Sequence, residues 1–224
     1  MKKPSLVKTI IQALIGSALI CALLLLLAGS LYFRLAWILA PVLAIPATLS
    51  GYYYAKKVPG LLGRRKVDWK KLPPKRKGYM SFVYAAELSL LVVPALDARF
   101  GWSHMPFAVS MAGNALILAA NAMWVVSKTA NPYAGSAITI YEGHRLIKTG
   151  PYSVVRHPNY VGDLLLNLGM PLALGSWWGA MIFALIVPAQ VYMIFDEERF
   201  LRENLPGYEG YMKETRSRLI PHIW

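Results

Sequence analysis

Two short parts of the chain concentrate the side chains that could do chemistry. The first is residues 150–162, which contain an arginine, a histidine and two tyrosines. The second is the carboxylate pair Glu197 and Glu198, which follows a long apolar run. Side chains of both charges, together with aromatic rings, suit a small ligand that is itself charged and partly apolar. The rest of the chain must therefore bring these two parts to one place.

Pro158 is expected in the first turn of a helix, because a missing amide hydrogen is tolerated there. The open amides of that turn and the positive end of the helix dipole favour an anion such as a carboxylate. His157 and Tyr160 flank this point. A histidine near a helix start can also have a purely structural hydrogen bond, so the spacing alone leaves both interpretations open.

The carboxylates at the end of the last apolar run predict a site for a cation. Asp196, Glu197 and Glu198 stand together, and a basic tail follows them. A functional carboxylate here would bind an amine or a sulfonium group. A solvated, charged helix end is the alternative interpretation.

Composition places these residues in a membrane protein. Apolar residues make up 56% of the 224 positions, too many for one soluble core without large exposed apolar patches. The net charge of +13 then indicates contact with anionic lipid headgroups rather than with nucleic acid. Cys21 is the single cysteine, and His144 and His157 have no cysteine partner, so neither a disulfide nor a metal site is expected.

Six apolar stretches predict an all-α, polytopic membrane protein of about five to six transmembrane helices. The last two stretches would form a C-terminal helical hairpin. The fifth is about 16 residues long and is therefore short for a full crossing. The stretches are residues 7–32, 35–55, 79–97, 106–127, 160–175 and 178–196.

Basic residues predict the orientation of the helices. The loop 56–78 carries ten lysines and arginines against the single acid Asp68, which places it in the cytoplasm. With six crossings, both termini are cytoplasmic too, in the inner membrane if the cell is bacterial. The chain then divides into N-terminal transmembrane helices, 1–128, and a region 129–224 that holds both candidate motifs.

Polar residues inside the spans are few and regularly spaced. One set recurs every four residues on the fifth helix and another every seven on the fourth, so each set lies on one helix face. Hydrogen bonds between helices would explain the asparagines. The carboxylates Asp163 and Glu87 need a partner, a proton or water, and are candidates for lining a cavity. The two sets are Asn159, Asp163 and Asn167, and Asn114, Asn121 and Lys128.

Five motifs occur together between residues 130 and 224. They are Gly143-His144-Arg145-Leu146-Ile147, Gly150-Pro151-Tyr152, Arg156-His157-Pro158-Asn159-Tyr160-Val161-Gly162, Glu197-Glu198-Arg199-Phe200-Leu201 and Gly207-Tyr208-Glu209-Gly210-Tyr211. In this combination they resemble the isoprenylcysteine carboxyl methyltransferase family of membrane proteins, which includes phospholipid relatives and prokaryotic members of unassigned substrate.

The resemblance implies an S-adenosylmethionine-dependent methyltransferase that acts on a lipid or a prenylated small substrate at the cytoplasmic membrane face. The region 129–224 would bind S-adenosylmethionine, and the substrate would enter from the bilayer. Position by position, the family's cofactor contacts fall on His144, Leu146, Ile147, Tyr152, His157, Pro158, Asn159, Tyr160 and Glu197.

One departure from the family pattern concerns the methyl acceptor. Members that act on isoprenylcysteine carboxylates have an arginine four residues before the equivalent of Glu197, and this position is Met193 here. A carboxylate substrate would therefore lack its counter-ion, unless Arg156 or Lys128 replaces it.

Direct transfer of an activated methyl group needs alignment and exclusion of water more than acid or base catalysis. A carboxylate acceptor would need no base, whereas an amine could give its proton to Asp163 or Glu198. The residues predicted to be catalytic are accordingly Arg156, Asp163 and Glu198.

Two other functions fit parts of the sequence. The run from Arg156 to Asp163 and the ending Arg218-Leu219-Ile220-Pro221 also resemble membrane sterol reductases, which would imply NADPH-dependent reduction of an isoprenoid double bond. A non-enzymatic scaffold or transporter would use the polar stripes as a permeation path. The concentration of reactive residues at one membrane face, away from the midplane, argues against transport.

Overall fold

The chain folds into seven α-helices and one short 3₁₀ turn in the part that the structure describes, and no strand occurs there. In the computed structural model the described residues are 6–58, 69, 72–134, 140 and 143–224. Most of the basic loop that predicts the orientation, Asp68 included, lies outside them. The helices are α1 Leu6–Ala28, α2 Arg34–Lys57, α3 Pro74–Phe100, α4 Phe107–Ala130, α5 Pro158–Ala173, α6 Trp177–Asn204 and α7 Tyr208–Glu214, and the 3₁₀ turn is Gly150–Ser153.

Five of the helices, α1 to α4 and α6, are long and apolar enough to cross a membrane. Helix α5 has 16 residues. Its length of about 24 Å is less than the roughly 30 Å of a bilayer core. The all-α, polytopic class predicted from the sequence is thus confirmed, and the protein is an integral membrane protein.

The long helices pack around a main apolar core and present large apolar side chains outwards. Leu19, Leu26 and Met181 are between 65% and 75% exposed in the isolated chain, and in a bilayer such side chains face lipid. The core is formed mainly by branched aliphatic side chains from the first four helices and the α5–α6 hairpin. Among them are Leu24, Leu39, Leu90, Ile117, Leu174 and Ile186.

The α5–α6 hairpin is tied to the end of α3 by the buried carboxylate of Asp97. Its Oδ2 accepts hydrogen bonds from the hydroxyl groups of Ser176 at 2.5 Å and Ser103 at 2.6 Å, and its Oδ1 accepts one from the Ser103 amide at 2.7 Å. The Ser176 hydroxyl in turn accepts from the Gly179 amide at the start of α6. Both carboxylate oxygens are paired, which offsets the cost of burying a charge.

Helices α4 and α5 run antiparallel and approach so closely that glycines are needed where they touch. A Cβ atom on Gly113 would collide with the backbone of the last turn of α5, and one on Gly169 would meet the Gly113 carbonyl oxygen at 2.8 Å. A Cβ atom on Gly162 would lie 2.6 Å from Nε1 of Trp124. These contacts fix the depth at which α5 begins.

Replacing Gly113 with alanine should lower the free energy of unfolding by about 1–3 kcal/mol, because the added methyl group forces two backbones apart. Gly78→Ala in α3 is the matched control, since its Cβ atom would have no neighbour within 4 Å. It should be neutral or slightly stabilising, because alanine is the better helix former. Thermal unfolding in detergent measures both, and an unchanged transition for Gly113→Ala would contradict the close α4–α5 contact.

Candidate functional site

A cavity of about 450 Å³ lies at the end of the bundle where α5 begins. Its walls come from α3 to α7 and from the segment 143–152. Small-molecule sites in proteins commonly occupy about 300–1,000 Å³, so the volume suits a ligand of that size. All nine residues on which the family's cofactor contacts fall line this cavity: His144, Leu146, Ile147, Tyr152, His157, Pro158, Asn159, Tyr160 and Glu197.

The other candidate residues divide between the cavity and the surrounding structure. Arg156 and Asp163 line the cavity, whereas Glu198 does not belong to its described walls. The cavity also contains the intramembrane residues Glu87, Lys128 and Met193.

In the part of the chain that the structure describes, the side-chain amide nitrogens of the α4 asparagines bond within their own helix. Asn114 donates to the carbonyl oxygen of Ser110 at 2.8 Å, and Asn121 donates to that of Ile117 at 2.9 Å. Each of these bonds stays within one turn of α4. The hydrogen bonds between helices that the sequence predicted for this stripe are therefore wrong for the side-chain amide nitrogens.

His157 lies between the two carboxylates at the end of α6. Its Nε2 is 3.2 Å from Oε1 of Glu198, and its Nδ1 is 4.0 Å from Oε2 of Glu197. The ring also meets Tyr160 edge-on, with 5.7 Å between the ring centres. Two sequence motifs separated by about 40 residues thus meet at this imidazole.

Glu198 is held by two arginines in the interior of the protein. Arg156 Nε lies 2.7 Å from its Oε1, and Arg218 Nε lies 3.0 Å from its Oε2. The Arg156 guanidinium also donates to the carbonyl oxygens of Thr215 and Arg216. A buried ion pair is stable only when its remaining hydrogen-bonding groups are satisfied, and this network meets that condition. Glu198 therefore holds Arg156 and Arg218 in place.

The C-terminal tail folds back onto the motif before α5. The amides of Arg156 and His157 donate to the carbonyl oxygens of Ser217 and Arg218 at 2.9 and 3.0 Å. Just before this tail, the hydroxyl of Tyr211 in α7 donates to the carbonyl oxygen of Tyr152 at 2.7 Å. The tail is consequently part of the site's framework, although the sequence indicated only a basic segment.

The first turn of α5 corrects one expectation about anion binding. Pro158 has no amide hydrogen, and the amides of Tyr160 and Val161 donate to the carbonyl oxygen of His157. The His157 amide is bonded to the tail. The helix start therefore offers at most the Asn159 amide to an anion, and the predicted cluster of open amides is wrong.

Several buried polar atoms of cavity-lining residues have no hydrogen-bond partner among the described residues, and they include Asn159 Oδ1, Gln190 Oε1 and Tyr208 Oη. An unsatisfied buried polar atom is costly, so its place is favourable for a ligand or for water. Burial raises the pKa of the Tyr208 hydroxyl and of the Tyr152 hydroxyl. Both groups accordingly stay protonated at neutral pH.

Trp124 positions the carboxylate of Asp163 on the cavity wall. Its indole Nε1 donates to Asp163 Oδ1 at 2.9 Å and approaches the carbonyl oxygen of Asn159 at 3.3 Å. The Lys128 ammonium lies 4.7 Å from the centre of the indole ring. Its positive charge favours the ionised form of the Asp163 carboxylate. Gly162 leaves the space that the indole needs.

Sequence reasoning missed Trp124, Gln190, Tyr208 and Arg218 as parts of this site. The i, i+4 spacing of Trp124 and Lys128 could have indicated a cation–π pair on one helix face. Tyr208 belongs to a motif that supported the family resemblance, but it had no assigned role. Gln190 and Arg218 carry no local signal, because their contacts depend on how distant segments meet.

Part of this chain resembles known proteins. Residues 104–206 match the family model described as phospholipid methyltransferase. Protein-S-isoprenylcysteine O-methyltransferase B of Arabidopsis thaliana is 31% identical over 100 residues, which cover 42% of this chain and 46% of the relative. Protein-S-isoprenylcysteine O-methyltransferase of Schizosaccharomyces pombe is 35% identical over 82 residues, which cover 35% of each chain.

A relative from another enzyme class is also similar. A Delta(14)-sterol reductase of Mus musculus is 31% identical over 88 residues, 37% of this chain and 20% of the reductase. The chain thus spans less than half the length of each of these relatives. The resemblance to the isoprenylcysteine methyltransferases that the motifs indicated is confirmed.

Replacing Arg156 with alanine should destabilise the protein by about 3–5 kcal/mol, because Glu198 would lose a partner inside the protein. Lys148→Ala is the control, since its pair with Glu214 is exposed and should contribute at most about 1 kcal/mol. Thermal unfolding in detergent measures the loss, and limited proteolysis tests whether residues 215–224 detach. Similar transitions for the two variants would show that the buried network does not hold the tail.

Proposed function

We propose that this protein is an S-adenosylmethionine-dependent methyltransferase whose acceptor is a lipid-like or prenylated molecule. The observation that supports the proposal most is the convergence of all nine family-assigned cofactor positions on one cavity. Four of them precede α5, four lie at its start, and Glu197 comes from the far end of α6. Convergence of such distant segments would not follow from packing alone.

The chemistry of the cavity wall fits S-adenosylmethionine. The carboxylate of Glu197 is suited to the ammonium group of the methionine part, and the ring of Tyr160 is suited to a neighbouring sulfonium. Leu146 and Ile147 supply an apolar surface for a flat base, and Asn159 Oδ1 and Tyr208 Oη offer unsatisfied polar atoms. When bound, the cofactor would supply a methyl group that leaves its sulfonium with little need for acid catalysis.

The distribution of charge favours a cytoplasmic site, as part of the same proposal. The ends of α2 and α4 pack together through Tyr54, Val58 and Val125, and α3 begins beside the cavity. This end of the bundle carries the basic residues, which mark the cytoplasmic side of a membrane protein. Among the described residues they include Lys56, Lys57, Lys75, Arg76, Lys77 and Lys128. Anionic headgroups would lie against the same surface.

The residues of this chain would then align the reactants and exclude water. The network of Arg156, Glu198 and Arg218 holds the tail over the motif before α5, which fixes His157 and Glu197 relative to one another. Asp163 stands on the wall as a proton acceptor for an acceptor molecule that must lose a proton. Alignment of this kind accounts for most of what a methyl transfer requires.

A second candidate function is reduction of a sterol or isoprenoid double bond with NADPH. The similarity to the mouse sterol reductase supports it, as does the tail sequence around Arg218. The presence of Glu197 on the cavity wall favours methyl transfer instead, because a carboxylate there would repel the phosphate groups of NADPH.

Calorimetric titration of the detergent-purified protein with S-adenosylmethionine, S-adenosylhomocysteine and NADPH tests the proposal. We expect saturable binding of the first two ligands. Glu197→Gln should weaken both by about 10- to 150-fold, because a hydrogen bond to a charged group contributes about 1.5–3 kcal/mol. The exposed Glu209→Gln in α7 is the charge-matched control and should leave affinity unchanged.

Other outcomes of this titration would contradict the assignment. Binding of NADPH alone would identify a reductase. Binding of none of the three ligands would leave a scaffold or transporter. Equal affinity of wild type and Glu197→Gln for S-adenosylhomocysteine would remove Glu197 as the ammonium partner.

A further inference from the structure

The cavity continues from the start of α5 into the membrane part of the bundle. Its wall on α3 runs from Arg76 to Glu87, about 16 Å along the helix axis. On the opposite wall, α6 contributes Met193, which lies deeper than Glu197, and Gln190, which lies deeper still. We call this deeper part the inner arm, defined by Glu87, Asp163, Gln190 and Met193.

Each arginine and lysine of the described cavity wall already contacts another group of the protein. Arg76 forms an ion pair with Asp196 at 2.7 Å, and Tyr79 also donates to this carboxylate. Lys128 lies over the Trp124 ring and acts on Asp163. Arg156 is bonded to Glu198 and to two backbone carbonyl groups. A carboxylate on the substrate would therefore have to compete with an existing partner of each cation to find a counter-ion.

The inner arm is instead rich in hydrogen-bond acceptors. Gln190 is only 3% exposed, and its Oε1 has no partner among the described residues. Glu87 and Asp163 contribute two carboxylates to the wall of the arm. Such an environment repels an anion and is satisfied by a group that donates hydrogen bonds.

We infer that the inner arm selects a methyl acceptor whose head carries O–H or N–H donors, and that it rejects a carboxylate head. This inference rests on the proposed function and names its substrate class. Gln190 on α6 and Glu87 on α3 line the same arm, where the head of the acceptor would lie. They are therefore the specificity-determining residues. Met193 leaves the arm without the cation that a carboxylate would require.

The proton that such an acceptor loses would be taken up at the wall of the inner arm. A lone pair of the acceptor oxygen or nitrogen forms the new bond to the methyl carbon, and the sulfur keeps the electron pair of the bond that breaks. The proton of the O–H or N–H passes to the Asp163 carboxylate and from there to water. Trp124 is a positioning residue in this step, since it holds Asp163 through Oδ1.

Transfer of labelled methyl from S-adenosylmethionine to three lipids with one isoprenoid tail tests the inference. The lipids carry a hydroxyl, a primary amine or a carboxylate as the head, so the first two arms separate O–H from N–H acceptors. We expect wild type to methylate at least one donor-bearing lipid about 100-fold or more faster than the carboxylate. Gln190→Leu should slow that reaction about 10- to 100-fold, whereas the lipid-facing Met181→Leu should not change it.

Met193→Arg provides a test in the opposite direction. The added guanidinium should raise transfer to the carboxylate lipid at least about tenfold and slow transfer to the donor-bearing lipid. Titration with S-adenosylhomocysteine accompanies every variant and should give wild-type affinity. This readout separates a changed arm from a misfolded protein.

The outcomes that overturn the inference differ from those that overturn the proposed function. Intact cofactor binding with equal or faster transfer to the carboxylate lipid, or with no transfer to either donor-bearing lipid, overturns the inference alone. An unchanged rate for Gln190→Leu overturns the role of Gln190. If the wild-type protein does not bind S-adenosylhomocysteine, both the inference and the proposed function are overturned.

Discussion

Glu198 lies inside the protein with its carboxylate between Arg156 and Arg218 and 3.2 Å from the His157 ring. Arg156 and His157 belong to the segment just before α5 and Arg218 belongs to the tail, whereas Glu198 itself belongs to α6. A buried charge demands that all of them stay in place, because each loss exposes an uncompensated ion. The shape of the cavity depends on this constraint, since two residues of its wall adjoin the ion pair in sequence: Glu197 precedes Glu198, and His157 follows Arg156.

The membrane imposes a second constraint, which explains where the cavity's free polarity lies. Asp97 shares its charge with two serines at the opposite end of the bundle, and the cations near the cavity are paired with carboxylates, rings or carbonyl groups. Among the described residues, the unsatisfied atoms Asn159 Oδ1, Gln190 Oε1 and Tyr208 Oη belong to side chains that line a space large enough for a ligand, whereas others, such as Ser110 Oγ, lie elsewhere in the bundle. A lipid-borne acceptor and a soluble cofactor could meet there without exposing the reacting atoms to bulk water.

Much of this architecture could be predicted from the sequence, for identifiable reasons. Long apolar runs define the spanning helices, and the short fifth run is the 16-residue α5. The motifs around His157 and Glu197 could be placed in one site because a known family combines them. The bonds of the Arg156 and His157 amides to the tail, and the Trp124–Asp163 bond, could not be predicted, since they join residues about 40 to 60 positions apart. No periodicity or composition encodes such a contact.

The proposed function requires that the cavity bind the methionine part of S-adenosylmethionine at Glu197 and His157. A cryo-electron microscopy or crystal structure with S-adenosylhomocysteine would test this requirement. We expect density for the ligand in the cavity, with its amino group within hydrogen-bonding distance of the Glu197 carboxylate and its sulfur directed towards the inner arm. Ligand bound elsewhere on the protein, or a cavity that accepts NADPH with its phosphates at the start of α5, would show that the site assignment is wrong.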